Sequence, residues 1–246
     1  MSAPVMLHIS GLHIVRPGRG DAPEFRLSVP EFQVPAGARI GLIGESGSGK
    51  TSFLELLGLL AWPDEVARFD FRPDRTIAAV DLIPALLERR TSQLAQLRAR
   101  TIGFVMQDGG LLPYLSVREN ARLSARLSGV GLNSEQIAAM ADALGLGQYL
   151  DRLQSDLSGG QKQRAAVLRA LAAGVPLMLA DEPTAALDPK TSEAVMTAIV
   201  KSTDAVAATQ IIASHNAPLI ERHGFELFRV TVTEGDTWRH ATLEAA

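Results

Sequence analysis

The stretch that most restricts the fold is "ARIGLIGESGSGKTSFLELLGLL", residues 38–60: a short apolar run ending in glycine, a glycine-serine loop, then a helical pattern. Gly44 to Thr51 satisfies G-x-x-x-x-G-K-[ST] in full. Such a loop turns backbone N–H groups inward around phosphate oxygens at a helix N-terminus, and it needs a strand before it and a helix after it. Both flanks are present. Gly44, Glu45, Ser46, Gly47, Ser48 and Gly49 are therefore expected to cradle a nucleotide's phosphates, with Ser52 following in the first helical turn. Lys50 would reach the β- and γ-oxygens, and the Thr51 hydroxyl would ligate magnesium.

Repeated strand-helix units extend the pattern. "VMLHISGLHIV" and "FRLSVPEFQV" carry apolar residues near every second position and read as antiparallel strands. Pro63, Pro73 and Pro84 punctuate the next region, before a helix at "SQLAQLRAR" and a buried strand at "TIGFVMQ". From Ser116 to about Leu153 only helical patterns appear; strand and helix then alternate again to a C-terminal strand pair. The expected fold is α/β: a mostly parallel sheet with a phosphate-loop core, an N-terminal antiparallel β subdomain and an inserted α-helical subdomain. This is one domain over residues 1–246, with 108–154 as the helical insertion and 1–107 plus 155–246 forming the β subdomain and core.

"PLMLADEP" supplies the acids such a core needs. An apolar strand ends in Asp181 and Glu182, and consecutive strand residues point to opposite sides. Asp181 would hold the magnesium shell, and Glu182 would accept a hydrogen bond from an attacking water. Gln107 closes "TIGFVMQ" and His215 closes "TQIIAS", where strands of such a sheet present side chains to ligand. Gln107 would touch the magnesium or the water; His215 would hydrogen-bond the γ-phosphate. Either residue alone is an ordinary surface residue, and only the surrounding set assigns it.

"LSGGQ" poses a separate question, because it opens a helix with two glycines in a chain that already has a complete phosphate loop. Ser158 and Gln161, three residues apart, form a capping box. Capping gives no reason for the side-chain-free approach that Gly159 and Gly160 permit. A second copy docked head to tail would bring this turn over the first copy's γ-phosphate.

Together, "GESGSGKT", Gln107, "LSGGQ", "MLADEP", the "AALD" loop ending in Asp188, and His215 resemble the nucleotide-binding subunit of ABC transporters, from about residue 7 to residue 230. The resemblance implies an ATPase that works as a homodimer or pseudo-dimer with two ATP molecules at the interface. Each ATP, with Mg2+ held by Thr51, Gln107 and Asp181, would lie between one chain's Lys50 loop and the other's turn of Leu157, Ser158, Gly159, Gly160 and Gln161. Asp188 would communicate across the interface. "SQLAQLRARTIGFVMQDGGLLPYLSVRENARL" is similar to the lipoprotein-releasing and macrolide-efflux type, which implies export or envelope extraction powered through a membrane subunit. Importer subunits and non-transport ABC ATPases are the alternatives; the latter usually carry two cassettes or long coiled coil, absent here. In that family an aromatic residue stacks on adenine where this chain has Arg16. The residues after the glutamine, 109–117, would contact the membrane partner or fill the helical subdomain's core.

Composition narrows the setting. A net charge of -3 gives no argument for nucleic acid, and the lack of cysteine excludes disulfides and thiolate metal sites. The most apolar region, "AAVLRALAAGVPLMLA", is broken by Arg169 and a Gly174/Pro176 turn. The expected location is peripheral, on the cytoplasmic face of the inner membrane, with the membrane subunit on a separate chain.

Overall fold

The computed structural model describes residues 3–18, 23–73, 78–235 and 237–245. The chain divides into two compact units, Met1–Gln96 with Ala213–Ala246, and Leu97–Ile212.

In the first unit the alternating segments form β1 (Val5–Arg16) and β2 (Glu24–Pro35), antiparallel with Arg16 opposite Phe25. β3 (Arg39–Ile43) runs into the phosphate loop and α1 (Lys50–Leu57). The proline-punctuated region resolves into two short strands, β4 (Arg68–Phe71) and β5 (Val80–Asp81), and the one-turn helix α2 (Ile83–Leu87) with Pro84 in its first turn. α3 (Thr91–Thr101) then leads into the second unit.

There, β6 (Ile102–Val105), α4 (Val117–Ser128), α5 (Ser134–Ala143), α6 (Gly159–Ala172), β7 (Leu177–Asp181), α7 (Pro189–Asp204) and β8 (Thr209–Ser214) follow. Capping boxes start α4, α5 and α6: Ser116 with Glu119, Asn133 with Gln136, and Ser158 with Gln161. Each satisfies two of the N–H groups that a helix start leaves without partners. β6 and β7 are parallel, with Ile102 opposite Leu177, and α6 lies against β6 so closely that a Cβ on Gly103 would sit 2.8 Å from the Ala170 carbonyl oxygen. Of residues 109–117, Leu111 and Val117 are buried, while Tyr114 is 71% exposed. The buried Asn120 side chain holds this loop, accepting from the Leu112 amide at 2.8 Å and donating to the carbonyls of Leu112, Leu115 and Ser116.

The chain returns to the first unit through α8 (Ala217–Arg222), β9 (Glu226–Glu234) and β10 (Trp238–Ala245). The strand order there is β5-β4-β1-β2-β10-β9-β3. The last hairpin is thus inserted beside both early segments, with β10 parallel to β2 and β9 parallel to β3. The expected α/β fold, with its antiparallel β subdomain and helical segment, is the one adopted. No helix among the described residues is long and apolar enough to cross a membrane.

Three phenylalanines seat α1 on the sheet. Phe32 of β2 meets Phe53 of α1 and Phe228 of β9 edge-on, both at 5.1 Å between ring centroids. Phe32 and Phe53 are almost completely buried, and such pairs add about 0.5–1.5 kcal/mol each beyond burial. Phe32→Ala is expected to cost about 3–5 kcal/mol in denaturant unfolding; a loss below about 1 kcal/mol would show that this trio does not anchor the helix.

Candidate nucleotide-binding site

The phosphate loop folds as its glycines require. Gly49 has φ of 97°, and a Cβ there would lie 2.6 Å from the Phe25 ring, so any side chain would be both strained and crowded. Unlike α4 to α7, α1 has no capping side chain, and its first N–H groups face the loop. Lys50 is buried and its ammonium donates to the carbonyls of Gly44 and Glu45, both at 2.8 Å, and to the Ser48 hydroxyl at 3.4 Å. The cation is therefore held inside the loop, at the end of a helix whose dipole attracts anions.

Two cavities flank this loop within the first unit. One, of about 200 Å³, is lined by Phe25 and by Gly47 through Ser52. The other, of about 560 Å³, brings His215 together with Gly44 and Glu45, and adds Arg229 and Thr231 of β9. His215 thus lines a cavity beside the loop. At the end of β1, the Arg16 guanidinium donates to the Val15 carbonyl at 3.3 Å and lies 4.0 Å from the Asp64 carboxylate. Its neighbour across the strand pair, Phe25, is the residue that lines the cavity at the loop.

In the second unit, Asp181 ends β7 with only 2% exposure. Glu182 follows with φ of 49°, a left-handed conformation that costs a residue bearing a Cβ about 1–2 kcal/mol. Gln107 is exposed in the turn just beyond β6. The paired acids therefore behave as two different groups, one buried at the strand end and one on a strained peptide.

Helix α6 fastens these loops together. From its buried face Gln163 donates its amide to the Glu182 carbonyl at 3.1 Å. Arg169 donates to the Gly110 carbonyl at 2.6 Å and the Phe104 carbonyl at 3.0 Å, on either side of Gln107. Burial pushes the Arg169 guanidinium down from its ordinary pKa, opposed by the charge of Asp108. Arg164 donates to the carbonyls of Leu144 at 2.8 Å and Gly145 at 3.2 Å, closing the end of α5. Motif reading missed Gln163 and Arg169, which in sequence look like two among several polar residues of a helix that also carries Gln161, Lys162 and Arg164.

The first turn of α6 faces outward. Leu157 is buried as its anchor, whereas Ser158 and Gly159 are exposed. The Ser158 amide donates to the Gln161 side chain at 2.8 Å, and the Gln161 amide donates back to the Ser158 hydroxyl at 3.4 Å. A Cβ on Gly159 would meet nothing within 4 Å. Packing within the chain therefore gives no reason for glycine at this position. Asp188 caps α7, accepting from the amides of Lys190 and Thr191, both at 3.1 Å. Hydrogen bonds from the Thr191 side chain and backbone, and then from Lys190, hold its carboxyl below the usual carboxylate range.

A strand, an uncapped helix and a loop enclosing a buried lysine define a nucleotide-binding protein of the phosphate-loop class. Comparison makes the class specific. Residues 27–185 match the family described as "ABC transporter". The chain is 37% identical to the lipoprotein-releasing system ATP-binding protein LolD 2 of Caulobacter vibrioides, over 89% of this chain and 91% of that one. It is 38% identical, over 75% of its length, to the macrolide export ATP-binding/permease protein MacB of Syntrophobacter fumaroxidans, of which it spans only 25%. A dimeric structure of the ATP-binding cassette MJ0796, in a post-hydrolysis state bound to ADP and Pi, superposes with a TM-score of 0.75 at 26% identity, covering 95% of this chain and 96% of that one. The chain belongs to the ABC transporter ATP-binding family.

Arg169→Met would leave the carbonyls of Gly110 and Phe104 without their donor. The expected loss is about 1–3 kcal/mol of unfolding free energy, read by urea denaturation. Unchanged stability would mean that water replaces the guanidinium without cost.

Proposed function

We propose that the chain is the ATP-hydrolysing subunit of an envelope export or extraction system, resembling in kind the lipoprotein-releasing and macrolide-export relatives. Two copies close around two ATP molecules at the cytoplasmic face of the inner membrane and drive a membrane subunit carried on a separate chain. The observation that carries this reading is the exposed turn at Gly159, where the chain's own packing leaves a glycine unexplained. An anion approaching from outside explains it. Support for the separate membrane subunit comes from LolD 2, named as an ATP-binding protein and matched over 91% of its length.

The chemistry is transfer of the γ-phosphoryl group to water. The loop's N–H groups and Lys50 hold the β- and γ-phosphates, and His215 donates to the γ-phosphate oxygen from the cavity it shares with Gly44. Glu182 accepts a proton of the attacking water as its oxygen bonds to phosphorus and the bond to the ADP oxygen breaks. Ser158 and the Gly159 N–H of the second copy close over the transferring group. The groups that would hold the metal are oxygen donors and few: the Thr51 hydroxyl, the Gln107 amide and the buried Asp181 carboxylate. Among the described residues no cluster of three His, Cys, Asp or Glu could cage a metal. That sparse set suits Mg2+, which is bound largely through nucleotide phosphates. When bound, Mg2+ supplies neutralisation of charge on the β- and γ-oxygens.

Glu182→Gln is expected to keep ATP affinity, accumulate an ATP-bound dimer in sedimentation or light scattering, and lower turnover at least about a hundredfold. Turnover within a few-fold of wild type would contradict the assignment of the base.

A further inference from the structure

We propose that Gln163 is a positioning residue for hydrolysis: its amide fixes the backbone of Glu182 and ties that residue to the helix whose first turn engages the second copy's nucleotide. The inference rests on the reading of Glu182 as the base. Its geometry is independent of that reading. Glu182 has a left-handed backbone, which a residue with a side chain keeps only when its surroundings hold it there. Asp181 before it is in regular strand and Pro183 after it lacks an N–H to donate, and the one local bond to its carbonyl comes from the Ala185 amide at 3.2 Å. Gln163 supplies a hydrogen bond to the Glu182 carbonyl at 3.1 Å, from a side chain that is itself buried.

The same helix carries Ser158 and Gly159 five and four residues earlier. At 1.5 Å rise per residue, the exposed turn lies only about 6–8 Å along the axis from the Gln163 anchor. A shift of α6 when its first turn meets a partner's nucleotide is therefore delivered to the peptide of this chain's own base. The Glu182 carbonyl thus accepts from the Ala185 amide within its own turn and from Gln163 across from α6. Glu182 itself makes further contacts, so Gln163 tunes its position and is not its sole support.

Gln163→Met keeps length and apolar packing but removes both amide hydrogens. In the purified full chain, kcat for ATP hydrolysis is expected to fall about tenfold to a hundredfold, while KM stays within about twofold. Added to Glu182→Gln, the same change should not lower residual turnover further, because the group it positions is already gone. The proposal is overturned by unchanged kcat, by KM rising in step with the loss, or by an additive loss in the double variant. Should Gln163→Met fail to fold, Gln163→Glu takes its place. A carboxyl at this site donates to the carbonyl only when protonated, so its pH-rate profile should gain a fall at higher pH that the wild type lacks; a superimposable profile overturns the proposal. Normal turnover by Glu182→Gln alone would instead sink the assignment of the base, whatever Gln163 does.

Discussion

Helix α6 is the member on which the functional parts of the second unit depend. Three of its polar side chains each donate to backbone carbonyls of neighbouring segments: Gln163 at Glu182, Arg164 at Leu144 and Gly145, Arg169 at Phe104 and Gly110. Each such bond is worth about 0.5–1.5 kcal/mol, more where the donor is charged, so together they tie these segments to α6. The rest of the helix's buried face is largely small and apolar, with Ala165, Ala166, Val167 and Leu168 allowing close approach to its neighbours. A rigid rod with fixed loops along its side and a free first turn at its tip is the mechanical basis of the proposed cycle.

The two helix starts that matter are finished differently, and this difference assigns their roles. α1 has no capping side chain; its N–H groups serve the loop around Lys50, within one chain. α6 has a capping box that occupies the amides of Ser158 and Gln161, leaving the peptide of Gly159 at its exposed end, while Gly160 is half-buried against Leu187. The first is complete as a phosphate cradle. The second opens on solvent at Ser158 and Gly159. That asymmetry is what makes a shared nucleotide, one copy's loop beneath and another's turn above, the reading that accounts for both.

Much of this was readable from short contiguous motifs. The phosphate loop, the acids of "MLADEP" and the capping box of "LSGGQ" depend on residues within a few positions of one another, where spacing determines geometry. The same holds for α4 and α5, whose start signals lie three residues apart. What escaped depends on distant partners. β10 lies beside β2 because Trp238 pairs with Glu24, a register no local pattern encodes. Arg16 sits at the expected strand end, but its contact with Asp64, from a loop far along the chain, and the place of Phe25 opposite it in the cavity at the phosphate loop are not encoded locally. Gln163 and Arg169 look like ordinary helix polarity until the carbonyls they meet are known. The short β4, β5 and α2 were hidden because prolines mark breaks without indicating what lies between them.

The claim that a nucleotide is shared by two copies has a direct test in complementation. A chain with Lys50→Ala lacks a working loop, and a chain with Gly159→Val lacks a turn that ligand can approach; each alone should be inactive. Mixed in equal amounts, they form hybrid dimers in which the loop of one chain and the turn of the other make one intact site, and ATP hydrolysis should return to a substantial fraction of the wild-type rate. A mixture as inactive as its components, with hybrid dimers demonstrably present, would contradict the account.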